Sequence, residues 1–83
     1  MESSPRILAV APRENMVLVV EFLNGEKRAY DCKPLLARPE FQLLAIPAFF
    51  KTVQVDPGGY GISWNDILDL SEYELWTRGN PVD

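Results

Sequence analysis

The residues able to do chemistry in this chain are carboxylates, one thiol and a set of aromatics. Asp66, Asp69, Glu72 and Glu74 crowd into nine residues. Paired carboxylates can transfer protons or hold a hard cation. The spacing lacks the alternation and central glycine of an EF-hand loop, and each acid has a simpler task. Glu74 completes a capping box with Ser71, Glu72 favours a helix N-terminus, and Asp69 can accept from loop amides before that helix. Asp31 precedes Cys32-Lys33-Pro34 and reads as a residue closing a turn through its own side chain, with a buried acid as the alternative. Cys32 lies near Lys33 and Arg28 in sequence, but a lone cysteine most often packs as a small apolar residue. There is no histidine and one cysteine. The Ser-His-Asp and Cys-His pairs cannot be built, nor can the usual zinc and copper ligand sets or an internal disulfide. Accordingly we assign no catalytic, cofactor-binding or metal-binding residues and expect no enzyme. A carboxylate-only enzyme drawing on Asp31, Asp66 and Asp69 is the weakest of the alternatives.

The aromatics are more informative. Trp64 at a strand end and Trp76 in the last helix turn can pack together as core. Exposed tyrosine and tryptophan anchor protein interfaces, and Tyr60, Tyr73 and Trp76 are the candidate partner-binding residues. Base stacking on them would also require a basic groove. The eight basic residues are scattered, and the net charge is −4. Direct nucleic-acid binding is therefore not expected, and a small basic protein is the better partner. Gly58-Gly59-Tyr60-Gly61 lacks the strand-to-helix setting of a phosphate loop and is explained by a hairpin turn.

The elements that must position these groups follow from patterning. Arg6 to Pro12 reads as a first strand and Met16 to Phe22 as a second, with Leu18, Val20 and Phe22 on one core-facing side. Asn24-Gly25 marks a hairpin turn, because both residues tolerate positive φ, and Lys27 to Asp31 returns. A two-residue turn sets Glu21 against Arg28; a three-residue turn with a glycine bulge sets it against Lys27. Charge favours both registers equally. Lys33 to Leu36 can form one turn. Pro39 opens a short helix over 39–46 with Phe41, Leu44 and Ala45 as its apolar stripe, and Pro47 stops it. Phe50 to Val55 and Tyr60 to Trp64 form a second hairpin around Asp56-Pro57-Gly58-Gly59. Ser71 caps a helix over Glu72 to Arg78, stapled by Leu70 and Leu75 and ended at Gly79 with Pro81 beyond. The order β-β-β-α-β-β-α predicts an α+β fold, a small antiparallel sheet with two short helices packed against it.

With 83 residues the chain makes a single domain, 1–83, whose tails at 1–4 and 80–83 are expected to fray. No apolar run is long enough to cross a membrane, and no signal peptide is read, so a cytoplasmic protein is expected. A thin core and any unpaired sheet edge favour a homodimer.

Pro5-Arg6-Ile7, Leu18-Val19-Val20-Glu21-Phe22, Asn24-Gly25-Glu26, Asp31, Leu35-Leu36, Phe41, Leu44, Phe50, Val53, Val55, Gly61-Ile62, Trp64 and Asp69-Leu70 occur in an order and spacing that resemble domain-of-unknown-function family 2442 over about residues 5 to 79. Many members have Trp-Pro-Asn-Gly before the aspartate. Here Trp64-Asn65-Asp66-Ile67-Leu68-Asp69 keeps the spacing without the proline and glycine. The resemblance implies a compact antiparallel α+β domain and carries no catalytic residues. Some relatives bear a C-terminal helix-turn-helix domain, which these residues lack, so DNA binding is expected to come from a partner. Others resemble proteins encoded beside a small toxin-like protein, which implies an antitoxin-like role. The leading expectation is a non-catalytic protein-interaction module, antitoxin-like or regulatory. The alternative is a ligand-sensing or regulatory module associated with transcription, with a closed apolar pocket beside residues 39–46.

Overall fold

The computed structural model describes residues 4–82. In chain order the elements are β1 (Ile7–Arg13), β2 (Val17–Phe22), β3 (Lys27–Asp31), α1 (Pro47–Phe50), β4 (Gln54–Val55), β5 (Gly61–Ser63), β6 (Asp69–Ser71), α2 (Glu72–Arg78) and β7 (Asn80–Val82). Short 3-10 segments at Lys33–Ala37 and Pro39–Ala45 connect β3 to α1. The strands form two antiparallel sheets, one of four in the order β1-β2-β3-β7 and one of three in the order β4-β5-β6. The α+β class and the antiparallel pairing agree with the sequence reading.

The first hairpin resolves the register left open by charge. Glu21 pairs with Lys27. Phe22 N–H donates to the Glu26 carbonyl and Gly25 N–H to the Phe22 carbonyl, each at 2.9 Å. The loop is therefore Leu23-Asn24-Gly25, with Gly25 at φ +89° as the bulge glycine. In β1, Ile7 pairs with Phe22 and Ala9 with Glu21, so Leu8 is an extra, bulged residue. The bulge reverses the face of everything before it. Ile7 enters the core beside Phe22, while Ala9 and Ala11 point to the other side of the sheet. Leu18, Val20 and Phe22 are completely buried, as their shared face predicts.

Four expectations are corrected. Pro39–Ala45 is a 3-10 helix rather than an α-helix. Prolines bracket it closely, and its period of three aligns Phe41 with Leu44 in the core while leaving Ala45 exposed. Pro47 does end that segment, but it also opens α1, so Phe50 belongs to a helix and the fourth strand shrinks to Gln54–Val55. Between Trp64 and Ser71 the sequence reading sees loop, whereas the chain makes a further strand, β6. Asn65 Oδ1 accepts from the amides of Ile67 at 2.9 Å and Leu68 at 2.8 Å, and this side-chain turn folds β6 back on β5. Finally, residues 80–82, expected in a frayed tail, pair with β3 as β7. Pro81 is tolerated there because β7 is an edge strand. Of the other expected tail, residues 1–3 lie outside the described residues, as does residue 83, whereas Ser4 Oγ donates to Glu72 Oε2 at 3.0 Å.

The helix α2 matches its expected bounds. Glu74 N–H donates to Ser71 Oγ at 3.1 Å, and the staple residues Leu70 and Leu75 are buried. Gly79 ends the helix in extended backbone, φ −76° and ψ 152°. A side chain there would meet the Leu75 carbonyl oxygen at 2.5 Å and Arg28 Cβ at 3.0 Å, so close packing against β3 selects glycine. The core lies between the four-stranded sheet, α2 and the three-stranded sheet. Among the described residues no helix is long and apolar enough to cross a membrane.

Candidate functional site

The three predicted partner residues do not share one environment. Tyr60 is 55% exposed, with the Arg6 guanidinium 4.3 Å from its ring centroid. Its carbonyl accepts from Glu72 N–H at 2.9 Å, which brings the Tyr60 backbone to the start of α2. Tyr73, in the first turn of α2, is 66% exposed. Trp76 is half-buried and already engaged. Its ring meets Phe22 edge-on at 5.0 Å and 78°, and the Arg28 guanidinium lies 3.5 Å from its centroid. Arg28 also donates through Nη1 to the Trp76 carbonyl and through Nε to Glu26 at 2.6 Å. Trp76 therefore fastens α2 to β3 and β2. Trp64 packs against Phe50 rather than Trp76, with centroids 6.2 Å apart, and its Nε1 donates to the Phe50 carbonyl at 3.0 Å.

The titratable groups have structural partners. Asp31 Oδ1 accepts from Lys33 N–H at 2.9 Å and pairs with Lys33 Nζ at 3.0 Å, the turn closure expected of it. Those bonds hold its carboxyl below the usual aspartate range, the amide bond contributing most. Asp31 is exposed, which removes the buried-acid alternative. Cys32 is fully buried, and burial pushes its thiol up to about 12, which suppresses nucleophilic reactivity. Tyr30 donates its hydroxyl to Glu74 Oε2 at 2.7 Å. Burial, then this bond, raises the phenol well above its ordinary value. Glu74 thus completes only half of the capping box and spends its carboxylate on β3. Among the described residues no group of three histidine, cysteine or acidic side chains is placed to hold a metal ion.

Among the described residues, two concavities bear on a candidate site. The first is a cleft of about 400 Å³ between the 3-10 segment Pro39–Ala45 and the β6–α2 junction. Glu40, Asp69 and Glu74 line it, with Arg38 as the cation among its lining residues and Ile67 at its edge. Arg38 Nη2 pairs with Glu40 Oε2 at 3.0 Å, so the cleft presents a surplus of negative charge. Glu40 is held below the usual glutamate range by its own backbone amide and by Arg38, and it stays ionised. Ile67 is 79% exposed, an apolar side chain standing beside the acids.

The second is a half-open groove of about 650 Å³ beside residues 39–46, bounded by Leu44, Phe50 and Lys51 on one side and by Arg13, Glu14 and Met16 on the other. Its second wall is the β1–β2 turn, which the sequence reading does not single out. Asn15 and Met16 both adopt left-handed backbone, φ 61° and 60°. Val17 N–H donates to the Glu14 carbonyl across them. Asparagine adopts this conformation readily, and its presence is a signal the sequence carries. Methionine does so at a cost of about 1 kcal/mol. The turn is pinned by Lys33 Nζ donating to the Asn15 carbonyl and Cys32 N–H donating to the Met16 carbonyl, each at 2.9 Å. The ligand-sensing alternative expects a closed pocket at this position; the cavity is there but open to solvent.

In comparison with known proteins, a family model described as Protein of unknown function (DUF2442) matches residues 7–81. No curated protein and no solved structure matches the chain.

Proposed function

The chain belongs to the DUF2442 family, and since that family's description assigns no activity, we propose from the chain's own surface that it is a non-catalytic protein-interaction module. Its acidic cleft takes a basic segment of a small protein partner, in a regulatory or antitoxin-like role. One observation carries this reading. Glu40, Asp69 and Glu74 surround a cleft whose lining cation, Arg38, is already paired, and the 79%-exposed Ile67 stands at its edge. An apolar anchor ringed by one sign of charge favours an amphipathic partner of the opposite sign. Tyr73, on the same helix as Glu74, is a further exposed aromatic. The antitoxin-like element is an analogy from family context. A cytoplasmic setting goes with it, since the one cysteine is free and buried.

The test is affinity capture from the host with the tagged protein, followed by titration of whatever binds. A stoichiometric basic partner is expected. Its binding should weaken with Ile67→Ser, with Asp69→Lys and with salt raised to about 0.5 M, where charges are screened within a few ångströms. Leu8→Ser, exposed on β1, should leave it unchanged. Absence of any partner at micromolar concentration, or indifference to the cleft variants, would overturn the reading.

The groove beside residues 39–46 favours a second reading, a ligand-sensing module. An apolar ligand seated there would raise the melting temperature, and Ala45→Trp, which fills the groove, would abolish that rise while leaving partner capture intact.

A further inference from the structure

Among the described residues, no element packs on one large surface of the sheet. The four-stranded sheet is covered on one side by α2 and the core. Its opposite face carries Ala9, Ala11 and Arg13 from β1, Val17, Val19 and Glu21 from β2, Lys27, Ala29 and Asp31 from β3, and Asn80 and Val82 from the edge strand β7. The solvent face of an antiparallel sheet is ordinarily polar. Here the row across its centre is Ala11, Val19 and Ala29, ending at Asn80 on the edge strand and flanked by a shallow hollow of about 130 Å³. Charge is confined to the two ends, with Arg13 and Asp31 at one and Glu21 and Lys27 at the other.

We propose that this face is a homodimer interface, closed by a two-fold axis lying parallel to the sheet and across the strands, along Ala11, Val19 and Ala29. The register selects this axis. A two-fold along β2 would set Glu21 against its own copy. The axis across the strands sets Val19 on Val19 and Lys27 on the partner's Asp31, twice by symmetry. It also leaves Arg13 diagonal to the partner's Glu21. Both charge contacts are complementary, and the interface is isologous. The groups involved are free to make them. Lys27 takes part in none of the ion pairs among the described residues, which are Arg28–Glu26, Lys33–Asp31 and Arg38–Glu40. Lys33 contacts Asp31 through Oδ1, leaving Oδ2 for a second copy. Alanine on both flanks of Val19 lets the two sheets approach closely, as in an aligned sandwich.

Three strands of about five residues give a footprint of roughly 14 by 17 Å, which is small for a stable dimer. Association in the micromolar range is therefore expected, and dependence on concentration is part of the proposal. Sedimentation velocity from about 10 μM to 1 mM should show monomer converting to dimer. Val19→Glu buries two like charges on the axis and should weaken dimerisation at least about tenfold. Lys27→Asp, on an exposed residue, should weaken it several-fold, as should high salt. Circular dichroism checks that each variant is folded. A wild-type protein monomeric at about 1 mM overturns the proposal. So does a dimer that survives both substitutions, which would place the contact elsewhere. Neither outcome bears on the acidic cleft, which lies across the core from this face.

Discussion

Gly59 is where the second hairpin touches β1, and replacing it by alanine tests how the two sheets are joined. Its φ is +76°, and a Cβ there would stand 2.5 Å from the Ile7 carbonyl oxygen and 3.0 Å from the Ile7 amide nitrogen. Both neighbours are backbone, so neither can swing aside. Gly25 is the control, with φ +89° and nothing within 4 Å of where an alanine methyl would stand. Left-handed backbone costs an L-residue about 1–2 kcal/mol, and Gly25→Ala should lose about 1 kcal/mol. Gly59→Ala carries the same cost and must also push β1 away from the turn, an overpacking cost of about 1–3 kcal/mol. We expect a total of about 3 kcal/mol. For 83 residues the unfolding entropy is about 0.17 kcal/mol/K, so these losses correspond to melting temperatures lower by about 6 °C and 15–20 °C. Urea titrations followed by tryptophan fluorescence are suited to the measurement, because Trp64 is buried and Trp76 half-buried. Equal losses in the two variants would overturn this account, since they would mean that β1 yields to the turn without cost.

Four further outcomes are expected. Cys32 should resist a maleimide in the native state and react on unfolding. Because folding raises the thiol from 9.0 to about 12, and raises Tyr30 as well, their stabilisation is complete below pH 9 and is lost as pH climbs, so denaturation midpoints should fall in that alkaline window. Asp31 behaves oppositely. Its depressed value stabilises the fold above the ordinary 3.8 and loses that contribution as pH falls through the lower folded value; Asp31→Asn should flatten this part of the acid limb, and an unchanged limb would show that the Lys33 contacts carry no weight. Ser71→Ala removes the cap of α2 and should cost about 1 kcal/mol in chemical denaturation, whereas Ser71→Asp, which retains an acceptor, should recover most of it.

Much of the fold is legible because local rules and tertiary packing agree. Leu18, Val20 and Phe22 alternate as a half-buried strand, Asn24-Gly25 demands a turn, and Ser71 with Leu70 and Leu75 writes the start of α2. The misses share a cause. Strand β6 is three residues long and exists because Asn65 bends the chain back onto β5. Strand β7 contains a proline and is held by its pairing with β3. Neither has enough local pattern to declare itself. The surface is less legible than the core. Tyr60 and Tyr73 are readable as exposed aromatics, but Trp76 has the same composition signal and is spent on Phe22 and Arg28. The groove wall at Asn15 and Met16 is hidden because methionine gives no warning of left-handed backbone. The cleft joins Glu40 to Asp69 and Glu74, residues some thirty positions apart that no spacing rule connects.

Residue type and near neighbours therefore fix the class, the antiparallel pairing, the core face of β2 and the cap of α2. Each depends on groups within a few positions of one another. Long-range packing sets the rest. It divides the strands into two sheets and places the bulge at Leu8, which sends Ile7 inward and turns Ala9 and Ala11 out. It also brings together the acids that meet across the cleft. These are contacts between residues far apart in the chain, and their energies depend on distances that the folded backbone alone defines.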